Sequence, residues 1–307
     1  MVIRSRTDIQ LFSGNSSNNI QIGLWSAFVS CVYLIIADYL LNYFSSSWLL
    51  LTALMVFPLS IPALWANRKK YVHWKKTSWL SFALVGILSG AYNLSFLISA
   101  DQLPISVASM FLSVASVLVL PLTCLMANRL PQKLEIFSIL FVFVGVALVL
   151  QLQLGSYSWV GLIFGFATTF LSANATIYSS KSRKILLASE AMISKQLGKL
   201  VFALIGFTIF VEQDSNAADL KLSLWFLLGL YGVIKIYDTF IASRAQFMLP
   251  PLVFQSLSLL SLPMVCVGEV IIFKGSFTLL QWAGVIAIIV AGFMASLSKQ
   301  IQLEAIQ

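Results

Sequence analysis

Charge is scarce in this chain. Only 10% of its 307 residues are Asp, Glu, Lys or Arg, against about 25% in a soluble globular protein. So little charge cannot cover a soluble core, which excludes a water-soluble domain. Histidine is scarcer still. The one histidine, His73, sits in a basic stretch, which argues against a Ser-His-Asp triad and a histidine-rich metal site. The three cysteines, Cys31, Cys124 and Cys266, fall in separate apolar runs. No pair has metal-ligand spacing, and no disulfide framework is suggested. No Walker-type phosphate loop is present. The chain therefore reads as no enzyme, with no cofactor and no metal, and any work it does on solutes draws on a gradient rather than on ATP.

What is abundant is apolar: 59% of the residues are hydrophobic. A membrane span needs about 20 apolar residues. Ten such runs are expected, at 22–43, 47–66, 78–100, 104–127, 134–152, 157–180, 190–211, 222–243, 250–273 and 276–298. The loops between them are too short for a soluble domain. The net charge of +8 raises the question of nucleic acid, but the basic residues lie in short loops between spans. That is the pattern of a topology signal, so no nucleic-acid partner is expected and the lipid bilayer is.

Lysine and arginine placement orients the spans. With the N-terminus inside, the inner segments hold fourteen basic residues and the outer loops two, Lys221 and Lys274. Both termini are thus expected in the cytoplasm. The polar residues 1–20 read as a tail rather than a cleavable signal, and 300–307 as a second tail.

The spans divide into two sets of five. "GILSGAYNLSFLISADQLPISVASMFL" (86–112) enters a span, turns at a proline and returns; "GLYGVIKIYDTFIASRAQFMLPPLVFQSL" (229–257) does the same. Each is followed by a glycine-punctuated closing run, "FVFVGVALVL" and "WAGVIAIIVAGF". Five is odd, so the second copy enters from the opposite side. The expectation is an all-α integral membrane fold of two inverted-topology five-helix repeats, 21–153 and 154–299, an architecture used by secondary transporters.

These segments, with "GLIFGFATTFLSANATIYSS" opening the second half, resemble the drug/metabolite transporter superfamily, in particular its ten-helix EamA-type members. The resemblance implies a secondary transporter that alternates access to a central cavity, with spans five and ten outside it. It implies a small organic solute, often moved outward. Where the family often has a glutamate at the ends of spans four and nine, this chain has Asn128 and about Gly275. The resemblance also suggests the bacterial inner membrane. A homodimer stays open.

Candidate substrate residues come from groups that apolar spans tolerate poorly. One ionisable side chain at mid-membrane costs at least about 2.5–3.5 kcal/mol. Lys235 and Asp238 lie three residues apart in span eight, and Lys195 and Lys199 share a face of span seven. All four fall at similar depth, with Lys235 and Asp238 expected to neutralise one another in part. Asp38 and Glu269 fall in the opposite layer. The interior is thus expected to be positive towards the cytoplasm and negative towards the outside. To these are added Tyr92 and Asn93, which stand in span three nearly where Tyr237 and Asp238 stand in span eight, Ser109 and Ser113 on a serine face of span four, and Gln255 and Ser258 in span nine. Serine and glycine faces also serve plain helix packing. The favoured substrate is a small polar or zwitterionic metabolite such as an amino acid. The alternatives are a nucleotide-like or organic anionic metabolite held by the lysines, or a non-transporting scaffold. Pro58, Pro62 and Pro263 are expected to kink their helices.

Overall fold

A computed structural model describes residues 16–44, 76–149 without 127 and 129, 157–182, 185–210, 221–249, and 254–305 without 255, 256 and 273–275. Among these the secondary structure is entirely helical: α1 (Ser16–Leu41), α2 (Lys76–Gln102), α3 (Ile105–Met126), α4 (Lys133–Val149), α5 (Trp159–Ser182), α6 (Ala188–Phe210), α7 (Leu222–Met248), α8 (Ser261–Ile272) and α9 (Leu279–Ala305). They fall on nine of the ten expected spans; the second, 47–66 with Pro58 and Pro62, lies outside the described residues. In hydrocarbon a helix satisfies every backbone donor and acceptor within itself, which is why unbroken apolar runs take this form. α1, α2, α3, α5 and α7 are each long and apolar enough to cross a bilayer.

The ninth run departs from the expected 250–273. It is interrupted by a turn at Leu259 and Leu260, with helical residues Phe254, Leu257 and Ser258 before it and α8 from Ser261 after it. Pro263 sits in the first turn of α8, just after this break, and a proline at this place has no N–H to continue the helical ladder across it. α3 instead runs through an interior proline, Pro121. Its end is marked by Asn128, whose φ of 49° is left-handed and whose N–H donates back to the Leu125 carbonyl at 3.2 Å. Asparagine is among the few residues that take this conformation readily.

The principal pairings all join one half of the chain to the other. α1 lies on α7 and α2 on α5; α3 lies on α5 and α8 on α1; α4 crosses α9, and α2 also lies on α6. The first two pairings exchange when the halves are exchanged, as do the next two, and the α4–α9 crossing maps onto itself. Small residues make the close crossings. A Cβ on Gly145 would stand 2.8 Å from the Gly284 carbonyl oxygen, and one on Gly284 2.6 Å from the Gly145 oxygen. At the α2–α6 crossing Gly86 and Gly90 meet Gly198 backbone to backbone.

One apolar core joins α1, α2 and α7 around Leu34, Ala37, Leu40, Leu97, Ala100 and Tyr231. A second joins α3, α5, α8 and α9 around Leu103, Met110, Phe111, Leu262 and Ile288. The polar groups lie between and below these two.

Candidate functional site

A cavity of about 140 Å³ opens among α1, α2, α3, α5 and α7. α1 supplies Ser26, Ser30 and Tyr33; α2 supplies Tyr92; α3 supplies Ser113; α5 supplies Ser172 and Thr176; α7 supplies Asp238 and Gln246. Ser258 and Ser261, at the start of α8, complete the wall. No residue of α4 or α9 reaches it. Among the described residues Asp238 is the only charged group on this wall. Its Oδ1 accepts a hydrogen bond from Ser30 Oγ at 2.5 Å.

Tyr92 and Asp238 hold equivalent places. α2 and α7 are both 27 residues long, and each of these residues is followed by ten more. At 1.5 Å per residue that is about 15 Å from the helix end. The direct register thus pairs Tyr92 with Asp238, one residue away from the pairing of Tyr92 with Tyr237 that the sequence suggested.

The three lysines are buried and each has a partner in the protein. Lys235 Nζ donates to Tyr231 Oη at 2.9 Å, one turn back, and stands 5.2 Å from the centre of the Tyr231 ring and 6.0 Å from that of Tyr33, a cation–π arrangement. Lys199 Nζ donates to Thr239 Oγ1 at 2.6 Å. Lys195 Nζ donates to Gln246 Oε1 and, at 3.4 Å, to Ser243 Oγ. Lys235 and Asp238 thus take different hydrogen-bond partners, although all three lysines lie within electrostatic reach of the Asp238 carboxylate. Lys235 reaches the cavity wall through Tyr33, and Lys195 through Gln246.

The acidic residues gather in the other layer. Asp38, on α1, and Glu269, on α8, are close enough to repel. Glu269 Oε2 accepts the backbone N–H of Ser106 at 3.1 Å, so it neutralises an unsatisfied donor and the positive end of α3. Tyr157, just ahead of α5, has its phenol pushed up by burial and by the Glu269 carboxylate.

The remaining candidates are spread out. Asn93 is buried on α2, and Ser109 donates to the Ser106 carbonyl of its own helix at 2.9 Å. Tyr237 faces away from the cavity, 46% exposed, and accepts from Trp25 Nε1 at 3.1 Å. Gln255 lies outside the described residues. The small-residue face of α5 does two jobs at different heights. Gly161 and Gly165 receive Leu103 and Phe111, whereas Ser172 and Thr176 line the cavity. Sequence reasoning passed over Ser26, Ser30 and Tyr33; their spacing of four and three residues in an apolar run is the helical-face signal that could have found them. No group of three or more His, Cys, Asp or Glu that could hold a metal gathers among the described residues.

A family model now bears on this geometry: residues 19–151 match that of the EamA-like transporter family. Over that stretch the chain is similar to the EamA-like transporter family. That similarity, with the five helices long and apolar enough to cross a bilayer, indicates a multi-pass membrane protein. No curated protein matches the chain. A solved structure, described simply as a crystal structure of a protein, is similar in fold, with a TM-score of 0.63 at 14% identity over 93% of this chain and 99% of its own. The fold of this chain thus has an experimental counterpart across nearly its whole length.

Proposed function

We propose that the protein is a secondary transporter that exports a small polar or zwitterionic metabolite of the amino-acid type by alternating access. The cavity carries this reading: hydroxyls, an amide and one carboxylate face a small space in the middle of an apolar bundle. Pockets for drug-sized ligands are commonly about 300–1,000 Å³, so 140 Å³ favours a compact solute. A carboxylate flanked by hydroxyls suits a substrate ammonium, with Asp238 as the counter-charge and Tyr92, Ser113 and Thr176 as orienting groups. We read the exchange symmetry of the helix pairings and the equivalence of Tyr92 with Asp238 as support for two inverted repeats, both termini cytoplasmic, with the site on the axis between them.

Thermal-shift measurements on detergent-purified protein with amino acids, amines, nucleotides and sugar phosphates test this. A ligand at a hundredfold excess over its Kd stabilises by about 2.7 kcal/mol. The expected hit carries an ammonium, and Asp238→Asn abolishes its shift while keeping its own melting temperature. Counterflow in proteoliposomes, with the hit loaded on either side, then gives direction. A nucleotide or sugar phosphate as the sole hit, with Asp238→Asn unaffected, would sink the reading and favour the anionic-metabolite alternative. That alternative rests on the three buried lysines, but it requires them to leave Tyr231, Thr239 and Gln246.

A further inference from the structure

On the other side of the α1–α7 seam from the cavity lies a groove of about 520 Å³. It is lined by Gln21 and Trp25 of α1 and by Tyr237, Phe240, Ile241 and Arg244 of α7. Arg244 is four residues from the end of α7, about 6 Å along the axis, which places it at the edge of the apolar slab. Among the described residues its guanidinium has no ion-pair or hydrogen-bond partner, although it is flanked by a second groove against α6. Below it runs an exposed apolar stripe on α7: Phe226 at 75%, Val233 at 60% and Phe240 at 46%. Trp25 and Tyr237 are joined by the hydrogen bond between them, an aromatic pair with Tyr237 about 10 Å further into the slab than Arg244.

We propose that this groove seats an anionic phospholipid, with Arg244 holding the phosphodiester, Gln21 donating beside it, and the acyl chains lying over Phe240 and the stripe below. A planar guanidinium grips two phosphate oxygens at once. An unpaired cation at the membrane edge calls for a counter-charge, and the anionic headgroup supplies it where the apolar stripe supplies the chain contact. A free phosphate would gain only the one exposed arginine. The end of α7 that carries Arg244 is the end expected on the cytoplasmic side, where anionic lipids attract basic residues. This inference is independent of the substrate reading.

The test is native mass spectrometry of full-length protein exchanged into an equimolar mixture of phosphatidylglycerol and phosphatidylcholine. The wild type is expected to retain phosphatidylglycerol several-fold more than phosphatidylcholine. Arg244→Gln is expected to lose that preference and Arg244→Lys to keep part of it, both with unchanged melting temperature. Equal retention of the two lipids by the wild type, or unchanged retention by Arg244→Gln, overturns the proposal. Displacement of the lipid by millimolar glycerol phosphate also overturns it, since the site would then be one for soluble anions. A second readout does not depend on the arginine variants folding. Brominated phosphatidylglycerol should quench tryptophan emission of the wild type more than that of Trp25→Phe; equal fractional quenching in both counts against the site.

Discussion

Replacing Gly145 or Gly284 by alanine should destabilise the protein by a similar amount, and replacing both should cost far less than the sum. A Cβ at Gly145 would stand 2.8 Å from the Gly284 oxygen and 2.7 Å from Ile288 Cγ1; at Gly284 it would stand 2.6 Å from the Gly145 oxygen and 2.9 Å from the Val149 nitrogen. Ordinary contact begins at 3.4 Å, so each methyl forces α4 and α9 apart by about 0.6–0.8 Å. Most of the atoms met are backbone, which cannot step aside as a side-chain tip can. Overpacking of this kind costs about 1–3 kcal/mol. Once the helices have separated for the first methyl, the second enters largely free, so a coupling of the order of 1–2 kcal/mol is expected in the double-mutant cycle. Denaturation in mixed micelles with increasing dodecyl sulfate supplies the free energies. Neither α4 nor α9 lines the cavity, so ligand affinity should hold while stability falls. Neutral single substitutions, strictly additive ones, or a loss of affinity matching the loss of stability would each refute the reasoning.

Further outcomes can be checked alongside. Ser138 Oγ donates to the Ala291 carbonyl at 2.7 Å across the same crossing, both groups buried, so Ser138→Ala should cost about 1 kcal/mol in the same titration. Glu269→Gln keeps an acceptor for the Ser106 N–H but loses the charge facing the α3 terminus, and should cost about 0.3–1 kcal/mol, with Glu269→Ala costing more. The folded-state pKa of Tyr157 lies above its unfolded value, so its contribution is complete below about pH 10 and fades as pH rises beyond that. Tyr157→Phe should flatten part of the alkaline fall in melting temperature. In transport assays Ser30→Ala, which removes the partner of Asp238, should weaken an ammonium substrate less than Asp238→Asn does.

Helix existence was legible from apolar run length alone, because a bilayer leaves the backbone no other solution over 20 residues. Where tertiary packing decides, the sequence was less informative. The turn at Leu259 and Leu260 that interrupts the ninth run falls in "LVFQSLSLLSLP", where only the closing Pro263 hints at a break and not at its place. The depth estimate put Lys195, Lys199, Lys235 and Asp238 in one layer, and the three lysines lie within electrostatic reach of the Asp238 carboxylate. The partners of these charges, Tyr231, Thr239, Gln246 and Ser30, were hidden because uncharged hydroxyls and amides on apolar helices carry no signal of what they meet. Tyr237 shows the reverse problem. It neighbours Asp238 in sequence, but the turn of about 100° per residue sends it to the lipid-facing side.

The distribution of partners across the two halves has a consequence for biogenesis. Ser30 enters the membrane with the first helix, but the carboxylate it bonds is 208 residues further along. Each of α1 to α4 likewise finds a principal neighbour beyond residue 157. During synthesis the first half therefore waits in the bilayer with its serines, Tyr92 and glycine faces uncovered. It should be vulnerable to quality-control proteolysis until the second half arrives, and a chain truncated after residue 153 should be degraded rather than accumulate. Supplied as two separate polypeptides, the halves should rescue one another.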